Sequence, residues 1–176
     1  TVPTEHSATP ANDEFGSRIV WTDPVVEKAV RQCLGKPDGA TITEEELQTI
    51  TSISLGNDDL MDLTDLKYLG GIEELELSVY VVTPSEQPLD LSPIGGLNRL
   101  KRLELCLSGD SYDLSFLQQL PYLTSLTIQW PSNGIDISAI SALSDLTHLG
   151  LIEMEGLDLY KLAGMTQLTK LYLKFC

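Results

Sequence analysis

One spacing governs this sequence from residue 47 onward. In residues 113–128 an Asp is followed by apolar residues at every third position, closing on an apolar-x-apolar pair: Asp113, Leu114, Leu117, Leu120, Leu123, Leu126 and Ile128. The same frame fits Asp136, Ile137, Ile140, Leu143, Leu146, Leu149 and Leu151, and again Asp158, Leu159, Leu162, Met165, Leu168, Leu171 and Leu173. Upstream it fits Asp90, Leu91, Ile94, Leu97, Leu100, Leu103 and Leu105, and Asp62, Leu63, Leu66, Leu69, Ile72, Leu75 and Leu77. A partial unit of Leu47, Ile50, Ile53 and Leu55 precedes them. The closing pairs begin at residues 53, 75, 103, 126, 149 and 171, so the units span 22, 28, 23, 23 and 22 residues. Self-similarity at this period marks a stacked-coil architecture.

Each apolar-x-apolar pair reads as a short strand with two side chains inward and the middle one outward. The preceding three-residue spacing suits a 3₁₀ turn on the opposite side of the coil. The apolar side chains of one coil do not offset the backbone entropy of ordering some 22 residues, so coils must stack and share a core. Six strands at about 4.8 Å make a ladder roughly 25 Å long. The fold class expected is an α/β repeat: a right-handed leucine-rich repeat solenoid with a six-stranded parallel concave sheet and an N-terminal helical cap.

Three segments follow. Residues 1–16 are rich in Thr, Ser, Pro and Ala without an apolar period, and read as a disordered leader or tether carrying a solvent-exposed His6. Residues 17–50 read as a helical N-terminal cap, and residues 51–176 as the repeats, one domain with the cap. In the cap, Asp23-Pro24 starts a helix. Val25, Val26, Ala29, Val30, Cys33 and Leu34 form its apolar stripe, which predicts a buried, unreactive Cys33. Gly35 stops the helix and Lys36-Pro37-Asp38-Gly39 turns the chain. Thr43 with Glu46 is a capping box opening a second helix. A calcium loop around Asp38-Gly39 fails, because its first ligand positions would be Leu34 and Lys36.

The pattern resembles the short 22-residue class of bacterial leucine-rich repeats, best known from internalin-type surface proteins. The resemblance covers about residues 18–176. It rests on Asp-Leu-Ser-Pro-Ile at 90–94, Asp-Ile-Ser-Ala-Ile at 136–140, and a cap reading Leu34-Gly35-Lys36-Pro37-Asp38-Gly39 then Ile42-Thr43-Glu44. It implies a right-handed solenoid whose concave parallel sheet binds a protein, commonly on a bacterial surface. Two features depart from it. The class carries Asn three residues after the second strand Leu, where this chain has Asp58, Tyr80, Ser108, Pro131, Met154 and Cys176. Irregular descending turns are therefore expected. Cys176 falls three residues after the last strand with no polar cap behind it, which predicts an incomplete last coil and an open strand edge.

Composition narrows the function. With 26 Asp+Glu against 11 Lys+Arg the formal charge is −15, which argues against nucleic acid or an anionic membrane surface as the main partner. No run of about 18 apolar residues is present, so no transmembrane segment is expected. Cysteines 33, 106 and 176 are odd in number and follow no pair spacing, leaving no zinc site or disulfide framework. The five frame aspartates at 62, 90, 113, 136 and 158 read as turn residues rather than a metal ladder. Cys106 and His148 lie two rungs apart, roughly 10 Å, too far for a catalytic dyad. Gly70-Gly71 and Gly95-Gly96 are read as one convex register that packs tightly, not as a phosphate loop. No cofactor and no enzyme activity are expected.

The concave face is read by register. Its three rows are Ser52, Glu74, Arg102, Ser125, His148 and Lys170; Ser54, Glu76, Glu104, Thr127, Gly150 and Tyr172; and Gly56, Ser78, Cys106, Gln129, Ile152 and Lys174. Asn57, Val79, Leu107, Trp130, Glu153 and Phe175 continue it outward. Early rungs are acidic, whereas the last gather cations and aromatics. This composition suits a protein interface and nominates Gln129, Trp130, His148, Lys170, Tyr172 and Lys174. The competing placements are Trp130 turned inward to fill space and Phe175 closing the open end. The insertion of the 28-residue unit, around Val79–Pro88, is a second candidate contact. The function expected is a non-catalytic protein–protein interaction module. The alternative is a structural protein that self-associates through the C-terminal strand edge. A sequence opening on Thr1 suggests a processed, exported bacterial protein tethered at the cell surface, with a cytoplasmic adaptor as the other possibility.

Overall fold

The computed structural model describes residues 19–56, 59–79, 88–108, 112–129, 136–154 and 156–174. The leader at 1–16, Asn57, Asp58, the insertion at 80–87, Trp130, Pro131, Phe175 and Cys176 lie outside them.

Helix α1 (Pro24–Leu34) begins where the sequence places it. The Asp23 carboxylate accepts from Val25 N–H, Pro24 takes the first turn, and Gly35 closes the helix in the left-handed conformation at φ 63°. Arg31 then ties the following loop. Its Nη1 donates to the carbonyls of Pro37 and Ala40, while Nε and Nη2 both donate to Glu27 Oε1. Helix α2 (Glu44–Gln48) carries the predicted capping box between Thr43 and Glu46. Lys36 Nζ reaches Glu46 Oε2 at 2.6 Å, and that hydrogen bond first, with the Thr43 amide, holds the Glu46 carboxyl below the usual carboxylate range.

Cys33 corrects the sequence reading. Val26 and Val30 are fully buried, but Cys33 is exposed, with its Sγ 3.8 Å from the Ser52 carbonyl at the sheet edge. The apolar stripe is narrower than its residue types suggest because α1 packs on a single strand rather than into a two-sided core.

Six strands follow: β1 (Ser52–Gly56), β2 (Glu74–Val79), β3 (Arg102–Leu107), β4 (Ser125–Gln129), β5 (His148–Ile152) and β6 (Lys170–Lys174). All pair in parallel, in sequence order, in one sheet. Ile53, Leu75, Leu103, Leu126, Leu149 and Leu171 share one register row, so the frame drawn from sequence is the observed register. Between strands run 3₁₀ turns at Thr64–Tyr68, Ser92–Gly96, Ser115–Gln119, Ile137–Ala142 and Leu159–Leu162, each packed on the next. Apart from Leu159, Leu171 and Leu173, the frame's Leu, Ile and Met residues fill the space between sheet and turns as one continuous core.

The five frame aspartates do the work of turns. Each accepts from the backbone N–H two residues on: Thr64, Ser92, Ser115, Ser138 and Tyr160. Because the donor is the amide, Tyr160 serves as well as Ser. The glycine pairs do not share a register as expected. Gly95-Gly96 lie within a 3₁₀ turn, whereas Gly70-Gly71 follow one and rise toward β2. At Gly71 a Cβ would stand 2.4 Å from the Gln48 carbonyl oxygen, so no side chain fits there.

Val79 and Leu107 also depart from expectation. Strands β2 and β3 each run one residue further than the other four, and period-two alternation turns both side chains into the core.

Candidate partner-binding face

The coils are joined by a motif the sequence reading passed over. The carbonyls of Thr51, Glu73, Lys101, Thr124 and Thr147 each accept two consecutive amides from the next coil, as when Thr147 O takes Thr169 N–H and Lys170 N–H. Three hydroxyls reinforce this row: Thr124 Oγ1 donates to Lys101 O, Thr147 Oγ1 to Thr124 O and Thr169 Oγ1 to Thr147 O. At the same position earlier in the solenoid, Lys101 Nζ instead meets Glu73 Oε2 at 2.7 Å. That hydrogen bond holds the Glu73 carboxyl below its ordinary range. The signal was the residue before each outward strand position, which reads Thr, Glu, Lys, Thr, Thr, Thr at 51, 73, 101, 124, 147 and 169. At Ser108, one place where the missing Asn would stand, the backbone N–H and the hydroxyl both reach Val79 O. Met154, at the equivalent position, is simply buried.

The outward face of this sheet carries those nominated residues that the structure describes. Glu74 and Glu76 are exposed on β2, and Glu104 on β3 is half-buried. Gln129 Nε2 donates to Glu104 Oε1 at 2.8 Å, so Gln129 is turned toward the acidic rungs. His148 Nδ1 lies 2.8 Å from Thr147 Oγ1. The same hydroxyl lies 3.1 Å from the Thr124 carbonyl, so Thr147 Oγ1 stands between a backbone acceptor and the imidazole. Lys170, Tyr172 and Lys174 stand exposed on β6. The structure thus brings His148, Lys170, Tyr172 and Lys174 onto two adjacent strands and sets Gln129 one strand away, bound to an acid; Trp130 lies outside the described residues.

Cys106 and His148 are separated as predicted. Cys106 shares a row with Gln129 and Ile152, and His148 shares one with Ser125 and Arg102, so they differ along the strand as well as across it.

At β6 the sheet changes character. Leu171 and Leu173, in the inward rows, are 49% and 39% exposed, whereas Leu149 and Leu151 beside them are buried. Beneath lie the exposed Leu159 and Tyr160, around a shallow hollow completed by Leu157, Asp158 and Ala163.

Several solved structures similar to this one come from Listeria monocytogenes. Internalin C2 aligns over 86% of this chain and 74% of its own, at 24% identity and a TM-score of 0.54. The internalin InlF aligns over 86% of this chain and 50% of its own, at 23% identity and a TM-score of 0.58. InlP covers 86% of this chain and 44% of its own, at 16% identity and a TM-score of 0.58.

The fold is an internalin-like leucine-rich repeat solenoid.

This solenoid spans about half the length of InlF and less than half of InlP. No protein-family model and no curated protein matches the sequence. Among the described residues no helix of the solenoid is long and apolar enough to cross a membrane.

Proposed function

We propose that this chain is a non-catalytic protein-interaction module whose cap, residues 17–50, and repeats, residues 51–176, act as one domain that binds a protein through the outward face of the sheet. The observation that carries this reading is Tyr172. It is 56% exposed on a strand where Lys170 and Lys174 flank it, while the inward Leu149 and Leu151 of the neighbouring strand belong to the core. Aromatic anchors beside cations are the composition of interface centres. Gln129 and His148 extend the contact toward the middle of the sheet, and Trp130, outside the described residues, is assigned to it from sequence alone. Export from a bacterium, with residues 1–16 as a tether, accompanies this reading.

The test is affinity capture from host and bacterial extracts with mass spectrometry, run in parallel with Trp130→Ala and Tyr172→Ala. A partner enriched by the parent and lost by both variants supports the face; undiminished capture removes it. Assembly through the β6 edge is the second reading, favoured by the exposure of Leu171 and Leu173. Sedimentation equilibrium across a concentration series tests it, and a monomer throughout argues against it.

A further inference from the structure

The outward face of the sheet is notched at β5. Along its middle row Gly150 lies between Thr127 and Tyr172, and Gly150 is buried although this row faces outward. A Cβ there would stand 3.2 Å from Thr127 Oγ1 and 3.3 Å from Thr127 Cγ2, so the Thr127 side chain leans over a floor of backbone. His148 is two residues back on the same strand and therefore on the same face. Its Nδ1 is held 2.8 Å from Thr147 Oγ1, and the ring's second nitrogen, Nε2, faces away from that contact. Lys170 is the register partner of His148 and Tyr172 that of Gly150, and both side chains are exposed. A hydroxyl, an imidazole, an ammonium and a phenol thus surround one glycine. Their outward direction comes from period-two alternation, not from the open side of β6.

Charge narrows what fits there. The chain carries 26 Asp+Glu against 11 Lys+Arg, yet the outward positions of β4, β5 and β6 hold no Asp or Glu. A polyanion is repelled by the molecule as a whole. A single carboxylate meets the local donors and makes short charge-assisted hydrogen bonds with them. Two strands away in the same row Glu104 stands beside Glu76, and like charges side by side favour a cation between them. We propose that the partner is a protein segment of mixed charge, which seats one carboxylate over Gly150 among Thr127, His148, Lys170 and Tyr172 and lays a basic residue over Glu76 and Glu104. This rests on the reading of the outward face as the binding surface, and it adds the chemistry and direction of what binds. The two charges of the segment stand two strand spacings apart, roughly 10 Å.

The probe is acetyl-Lys-Pro-Pro-Glu-amide, whose polyproline II repeat puts Lys and Glu on one side about 9 Å apart. It is titrated into the isotope-labelled full chain and followed by NMR. Saturable shifts are expected at the Gly150 and Thr127 amides and in the His148 ring. A peptide with Gln in place of Glu is expected to bind at least about fivefold more weakly. Gly150→Ala pushes the Thr127 side chain aside, and Thr127→Val keeps its shape but removes the hydroxyl; each is expected to weaken the Glu peptide at least about threefold. Thr127→Val leaves the glycine in place, so the test stands even where Gly150→Ala disturbs the strand. Equal affinity for the Glu and Gln peptides overturns the proposal, as does an absence of shifts at these residues in tens of millimolar peptide. In affinity capture, a partner lost by Tyr172→Ala but fully retained by both notch variants overturns the carboxylate seat and leaves the face standing, so the two readings fail separately.

Discussion

Asp23 and Asp65 hold each other's segments. Asp65 Oδ2 accepts from Thr22 N–H at 2.7 Å and Asp23 N–H at 2.9 Å, while Asp23 Oδ2 accepts from Met61 N–H and Asp62 N–H. Both carboxylates are buried, and both lie at the N-terminus of α1, where the helix dipole and exposed amides favour negative charge. This exchange ties the cap to the first repeat. Asp65→Ala should lower the unfolding free energy by about 2–4 kcal/mol, since one buried and one part-buried amide lose their carboxylate acceptor. Asp23→Ala should cost a similar amount, and the double variant less than the sum because both act on one junction. Urea denaturation of the four proteins checks this; full additivity would show that the two sets of bonds are independent.

The threonine row predicts a gradient of small effects. Thr147→Val keeps the shape but removes the hydroxyl that reaches Thr124 O and contacts His148 Nδ1. A loss of about 1 kcal/mol is expected. Thr51→Val should be nearly silent, because its hydroxyl makes no such bond to a preceding coil. Thermal melts of the two variants separate a ladder role from a general preference for threonine in strands.

Asp136 makes a pH-dependent contribution. The Lys161 ammonium, 2.7 Å away, first of all, and then the Ser138 amide, lower its pKa from 3.8 to about 2. A depressed folded-state value means the contribution is present above about pH 4 and fades as the pH falls through about 2. Lys161, its own pKa raised by the same hydrogen bond, contributes up to the alkaline range and loses it there. Both side chains are solvent-exposed, so the effect on melting should be small. Lys161→Met should move the Asp136 midpoint back toward the ordinary carboxylate range in a carboxyl NMR titration. An unchanged midpoint would assign the shift to the turn amide alone.

Cys33 should label slowly despite its exposure. Partial burial above β1 pushes its thiol up from 9.0, so thiolate is scarce at neutral pH. Its alkylation rate should keep rising with pH beyond the range where an unperturbed thiol levels off. A plateau near pH 8.5 would contradict this assignment.

Calcium should not change the stability of this chain. The five frame aspartates spend an oxygen each on a backbone amide within their own turn. Melting curves in EDTA and in millimolar calcium are expected to coincide, and a rise with calcium would revive a carboxylate ladder.

The sequence by itself determined the strand register, the 3₁₀ turns, the turn aspartates and both caps of the helical segment. Each depends on local spacing or on bonds within a few residues, and such bonds leave their mark in residue type. Ile53, Leu75 and Leu171 share a row because identical units must stack in phase to bury identical positions. What crosses between coils was decided only by tertiary structure. Asp65 is fully buried at a position held by Pro93, Phe116, Ala139 and Lys161 in later units, and the approach of residues 22–23 explains a buried carboxylate there. Cys33 looked interior by helical period, yet α1 has a single strand beneath it. Leu171 and Leu173 obey the same frame as Leu149 and Leu151 but stand exposed, because burial belongs to the neighbouring coil and not to the residue. A repeating frame fixes direction, inward or outward; whether inward means buried depends on what packs next to it.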